Sequence, residues 1–108
     1  MRDDILFNVE TPLGFRVRTT RRYWDFLITE KHEAMAGREN DVIRVLHDPD
    51  EVRLSRTDPL VFVFYWLERP ERWLCVLAKR INGEGFIVTA YPADAIKEGE
   101  IVWTRRRR

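Results

Sequence analysis

Six residues of this chain have types suited to chemistry on an anionic ester: His32, Arg53, Ser55, Lys79, Thr89 and Tyr91. An imidazole titrates near neutrality, so it can take or give a proton at working pH. A guanidinium grips phosphate oxygens through a planar fork and an ammonium does so as a point charge, while hydroxyls and a phenol supply further donors. Arg53 and Ser55 alternate with Val52 and Leu54, and Thr89 stands two residues before Tyr91. Each pair therefore shares one face if its segment is a strand. Polar, proton-handling groups on a rigid sheet suit a hydrolytic or nucleic-acid-binding surface. The same residues also fit an ordinary solvated sheet face, and a histidine at a helix end also fits a polar surface position.

Arg16, Arg18, Arg21 and Arg22 form the densest basic cluster inside the fold and are candidate substrate-binding residues. Two arginines in the first turn of a helix oppose its positive end, at a cost of roughly a few tenths of a kcal/mol each, which a bound phosphate offsets. Solvated charge is the competing reading. Arg105 to Arg108 form a basic tail that adds attraction to RNA or any acidic partner irrespective of sequence. His32 and His47 lie far apart with no cysteine cluster, and Asp48, Asp50 and Glu51 make only a turn-like acidic patch, so no metal site and no cofactor is expected. His47, at a helix end, is explained by the dipole. Cys75 alternates with Trp73 and Leu77 and reads as a buried, inert thiol.

These groups need elements to hold them. Ile5 to Glu10 and Phe15 to Thr19, joined by Thr11-Pro12-Leu13-Gly14, predict an N-terminal β-hairpin. Thr19 or Thr20 caps a helix from about Arg21 to Glu33, with Trp24, Leu27 and Ile28 as its buried stripe and His32 on the same side. After Gly37, a second helix from roughly Arg38 to His47 turns Val42, Ile43 and Leu46 inward until Asp48-Pro49 stops it. Four strands follow, Glu51 to Arg56, Leu60 to Leu67, Arg72 to Arg80 and Gly85 to Tyr91, with Asn82-Gly83 the strongest hairpin turn. A helical turn near Ala93 to Lys97 and a last strand at Ile101 to Thr104 complete the reading. The fold class is α+β: an N-terminal β-hairpin and two helices packed on one face of an antiparallel sheet of about four strands. One segment resists that scheme, because Val61, Val63 and Tyr65 alternate with Phe62, Phe64 and Trp66, apolar on both sides. Either the N-terminal hairpin covers its second face or that face lines an apolar groove.

At 108 residues the chain is sized for a single domain, taken as 1–104 with the tail at 105–108. Net charge is +1, and the four tail arginines alone outweigh it, so bulk charge gives no argument for nucleic acid. One cysteine permits no internal disulfide and fits a reducing cytoplasm. No apolar run reaches bilayer-spanning length, and MRDDILFNVE is too acidic for a secretory signal, so a cytoplasmic protein without membrane partners is expected.

Several weak motifs in a fixed order then carry a likeness. They are Tyr23-Trp24, Lys31-His32, Asp41-Val42, Asp48-Pro49-Asp50-Glu51-Val52-Arg53, Ser55, Val88-Thr89-Ala90-Tyr91 and Ile96-Lys97. In these the chain resembles a phage-associated nuclease family of the barnase/EndoU/colicin/RelE-like group, from the first helix onward. The resemblance implies a metal-independent, toxin-like endoribonuclease with the BECR fold, RNA as its partner, and a cognate antitoxin or immunity protein as a second. Members of that wider group also lose catalytic residues, so an inactive RNA-binding or protein-interaction module of the same fold is the alternative. Cleavage of this kind uses the substrate's own 2′-hydroxyl as nucleophile, and the protein supplies a base, an acid and cationic donors. On that basis His32 is the proton-transfer group, Arg53 and Lys79 hold the phosphate, and Ser55, Thr89 and Tyr91 donate hydrogen bonds or act as acid.

Overall fold

A computed structural model describes residues 4–96 and 99–105. The N-terminal hairpin is β1 (Ile5–Glu10) and β2 (Arg16–Thr20), antiparallel. Its turn closes where both the amide and the hydroxyl of Thr11 donate to the Phe15 carbonyl, at 3.0 and 2.8 Å. The Thr20 hydroxyl then accepts from the Tyr23 amide at 3.1 Å and starts α1 (Arg21–Phe26), as the sequence predicts for a capping threonine. The helix does not run on regularly to Glu33. It loosens into a π-helical turn at Leu27–Lys31, followed by a 3₁₀ turn at Glu33–Met35. Helix α2 (Glu39–His47) comes next, with Val42, Val45 and Leu46 fully buried.

Five strands follow: β3 (Glu51–Leu54), β4 (Val61–Arg69), β5 (Arg72–Ile81), β6 (Glu84–Ala93) and β7 (Glu100–Thr104). Asn82 and Gly83 both adopt positive φ, 53° and 83°, which is the turn a two-residue hairpin requires. The expected helical turn near Ala93 does not form over the described residues, since β6 continues through Ala93 and a bend comes after it; Lys97 lies outside the described residues.

The protein is α+β, but among the described residues its sheet has seven strands rather than about four, in the order β1-β2-β6-β5-β4-β3-β7. The hairpin, instead of lying over the sheet, extends it. It does so through a parallel contact of β2 with β6, so the sheet is mixed. That contact depends on a glycine: a Cβ at Gly85 would stand 2.8 Å from the Arg16 carbonyl oxygen and 2.9 Å from Val17. At the other margin β7 pairs antiparallel with β3.

One core cluster joins Trp24, Leu27, Met35, Val42, Val45 and Leu46 of the helical segment to sheet residues such as Val17, Val52, Phe64, Val76 and Ala90. Burying each Val, Leu, Met or Phe side chain among them contributes about 1.5–3 kcal/mol. A second, smaller cluster of Val63, Tyr65 and Cys75 lies on the opposite side of β4 and β5. The two-sided apolar character of β4 is thus explained: Phe62, Phe64 and Trp66 face the helices, while Val63 and Tyr65 face a hollow.

Arg105, grouped by sequence with the tail, belongs to the fold. Its amide donates to the Asp50 carbonyl at 2.9 Å and its guanidinium reaches the carboxylates of Asp48 and Asp50 at 2.9 and 3.3 Å. Hydrogen bonding to Asp48 keeps that guanidinium above its ordinary pKa. The acidic patch at 48–50 therefore anchors the backbone just beyond β7. Residues 106–108 lie outside the described residues. No helix among the described residues is long and apolar enough to cross a membrane.

Candidate functional site

Two cross-strand rows organise the face away from the helices. Registers β3–β4–β5–β6 align Arg53, Val63, Leu77 and Thr89 in one row and Glu51, Tyr65, Cys75 and Tyr91 in the next. Between their ends lies a cleft of about 510 Å³. Val63, Tyr65, Cys75 and Leu77 line it along β4 and β5, Ser55 and Thr57 lie to the β3 side, and Tyr91 to Ala95 lie to the β6 side. Ile96 packs against the same cluster, so the chain leaving β6 lies over this face. Gly99 then arrives beside β3 with φ of +108°, close enough that a Cβ would stand 2.9 Å from the Leu54 carbonyl oxygen.

His32 reaches this site through the irregularity of its helix. The His32 amide donates to the Leu27 carbonyl at 2.8 Å, a bond one residue longer than the α-helical one. The extra residue in the turn rotates the chain beyond it, and π turns of this kind recur at functional sites. His32 leaves the helix with φ −141° and ψ 80°, and its ring meets that of Tyr91, with centroids 5.4 Å apart. Thr89 sits beside a β-bulge in β6, opposite the register shift after Leu77. Its hydroxyl is buried and has no hydrogen-bond partner among the described residues. The Tyr23 hydroxyl donates to the neighbouring Val88 carbonyl at 2.6 Å, which fixes α1 against the bulge.

Arg53 does not meet His32. Strands β4 and β5 intervene, so three inter-strand steps, or roughly 14 Å, separate the backbone of Arg53 from that of Thr89. The Arg53 guanidinium donates to the Glu51 carboxylate and, at 3.4 Å, to the Gly99 carbonyl. Ser55 lies in the cleft, its hydroxyl 3.1 Å from that of Thr57. Lys79 is on the same face but outside the cleft, paired with Asp58 at 3.2 Å. The Leu60 amide and Lys79 together hold the Asp58 carboxyl below its usual pKa.

The arginine cluster also stands apart, since none of its members lines the cleft. Arg16 binds Asn8 and Glu10, Arg18 pairs with Glu84 at 2.9 Å, and Arg21 and Arg22 are exposed at the start of α1. His47 lies 3.1 Å from the Glu10 carbonyl and ties α2 to the hairpin. No group of three or more potential metal-ligating side chains occurs among the described residues.

Two residues of these rows were not singled out by sequence, Tyr65 and Glu51. Tyr65 is nearly buried, and burial first, then the nearby Cys75 and Tyr91, push its phenol up to about 12 against the opposing charge of Arg53. Burial alone pushes the Cys75 thiol up to about 12. Both are neutral at physiological pH, so Tyr65 is a hydrogen-bond donor rather than a base. The alternation of Val61, Val63 and Tyr65 held the signal, and it became readable only once β4 was paired with β3.

Chemically, the cleft combines an apolar floor with hydroxyl and phenol donors, an imidazole at one margin and an ion-paired guanidinium at the other. Comparison of the chain with protein-family models, with curated proteins and with solved structures finds no match.

Proposed function

We propose that the chain is a metal-independent, toxin-like endoribonuclease acting in the cleft on the open face of the sheet. The observation that carries this reading is the contact of His32 with Tyr91, which sets an imidazole beside a hollow that already contains Ser55, Tyr65 and Tyr91. A ribose 2′-hydroxyl attacks the adjacent phosphorus, and its proton passes to His32. The new O2′–P bond forms as the P–O5′ bond breaks, and a phenol or the imidazolium protonates the departing 5′-oxygen. Neutral Tyr65 and Ser55 donate to the phosphorane oxygens, whose charge is the largest demand on the site. Arg53 contributes by exchanging Glu51 for phosphate, and Thr89 supports Tyr91 from the same strand. Lys79 and the arginine cluster stand outside the cleft and take no part in this step.

The ion pairing of Arg53 with Glu51 favours a second reading. In it the same face binds RNA or a protein partner, such as a cognate antitoxin or immunity protein, without cutting. Incubation of the purified chain with mixed RNA in chelator separates the two. Products ending in 2′,3′-cyclic phosphate, lost in His32→Ala and Arg53→Ala, support the nuclease; RNA retained intact supports the binder. An outcome with neither binding nor cutting of RNA defeats the nuclease and the RNA binder and leaves a protein-interaction module. An active enzyme expressed without an inhibitor also arrests growth.

A further inference from the structure

The open face has a second hollow at the end away from the cleft. It opens where β2 and β6 part, since these strands pair only at Val17 with Gly85 and Arg18 with Phe86. The hollow measures about 520 Å³, and Ile5, Ile81, Phe86 and Val88 line it together with Arg18 and Lys79. Ile5 and Ile81 are 54% and 45% exposed, a concentration of bare aliphatic surface that in soluble proteins marks an interaction site. Thr19 also lines the hollow, and its buried hydroxyl has no hydrogen-bond partner among the described residues.

We infer that this wedge docks a segment of a protein partner that carries branched aliphatic side chains flanked by carboxylates. Charge complementarity selects the acidic flanks. Among the described residues lining the wedge there are two cations and no carboxylate. Arg18 and Lys79 have partners outside the lining, Glu84 at 2.9 Å and Asp58 at 3.2 Å. Ion pairs this exposed are worth about 0–1 kcal/mol, so an incoming carboxylate can replace them at little cost. The apolar lining decides against a nucleobase. Stacking needs an open aromatic face, whereas the guanidinium of Arg18 already covers Phe86 at 4.7 Å and the Tyr23 ring is tilted against Phe26, with centroids 5.9 Å apart. The surface left free is aliphatic, which matches isoleucine, leucine or valine from a partner. Among the described residues strand β1, which supplies Ile5, ends the sheet and has one strand neighbour, so an extended segment can lie along it. This docking site does not depend on whether the cleft cuts RNA.

The test is a methyl-NMR titration of the full chain with a ten-residue synthetic peptide of alternating glutamate and leucine. The expected result is movement of the Ile5, Ile81 and Val88 methyls while those of Val63 and Leu77 in the cleft stay fixed. Ile81→Asp and Arg18→Ala should each weaken binding at least tenfold, with thermal midpoints close to that of the parent chain. A lysine–leucine peptide of equal length should leave the spectrum unchanged. The inference is overturned if no methyl moves, or if both peptides act alike. It is also overturned if a single-stranded RNA shifts Ile5 and Ile81 at lower concentration than the acidic peptide, which makes the wedge a nucleic-acid surface. Concentration-dependent broadening of the same methyls in the chain alone overturns it in favour of a second copy.

Discussion

Strand β4 carries two apolar rows, and the molecule uses them differently. Phe62, Phe64 and Trp66 enter the large cluster under the helices, where Phe64 is sealed from solvent. Val63 and Tyr65, one residue along, are also buried, yet they form the floor of a cleft bordered by hydroxyls and phenols. The first row contributes close packing. The second keeps a phenol neutral beside a guanidinium, a carboxylate and another phenol. Burial alone therefore does not separate core from site; the distinction lies in whether polar groups converge on the buried surface.

The largest effects should divide along that line. Phe64→Ala should lower unfolding free energy by about 3–5 kcal/mol, read by chemical denaturation, while on the proposed nuclease reading the protein that stays folded cleaves RNA at the parent rate. His32→Ala should do the opposite, reducing cleavage on the order of 10²- to 10⁴-fold with an unchanged denaturation midpoint. If these outcomes are exchanged, the division of the two faces is wrong.

Smaller effects sharpen it. Tyr65→Phe removes one donor to a charged group, worth about 1.5–3 kcal/mol, so cleavage should fall roughly 10- to 100-fold. The phenylalanine keeps the packing, and the midpoint should hold. Alkaline titration probes the same cluster. Folded Cys75 and Tyr65 keep their protons up to about 12, whereas the unfolded chain releases them near 9.0 and 10.0. Between those limits the unfolded state binds fewer protons, so stability, complete below pH about 9, should decline as pH rises, by about 1.4 kcal/mol per unit for each group. Cys75→Ala should flatten the first part of that decline in denaturation curves taken across the range. Last, Arg105→Ala should cost about 1 kcal/mol and speed amide exchange in β7 without touching cleavage.

Local chemistry made much of this architecture legible. Thr20 announces the start of α1 by side-chain type, and Asn82-Gly83 announces the β5–β6 hairpin because both residues tolerate positive φ. Alternation placed Arg53 and Ser55 opposite Val52. The sheet order was not legible. The contact of β2 with β6 is two residue pairs long and joins segments far apart in sequence, with a single glycine as its only local mark. The π turn was hidden because Leu27 and Ile28 suit an α-helical stripe equally well, and the shift of one residue is what brings His32 to Tyr91. Lys79 could not be located by alternation alone: two residues beyond Leu77 on β5, it falls one row outside the cleft.

The pairing of Val52 with Trp103 joins β3, at the start of the sheet's long meander, to β7. A closure over so much intervening sequence is entropically slow and forms after the hairpins of β4, β5 and β6. Ile101 and Val102 remain 52% and 40% exposed, whereas Trp103 packs against the helix-side core. Strand β7 thus has a bare side and an anchored one, since Arg105 holds Asp48 and Asp50 just beyond it, and opening it also lifts Trp103 off the helix-side core. In that partly opened state Gly99 leaves Arg53, and the guanidinium gains a freedom that the closed molecule withholds.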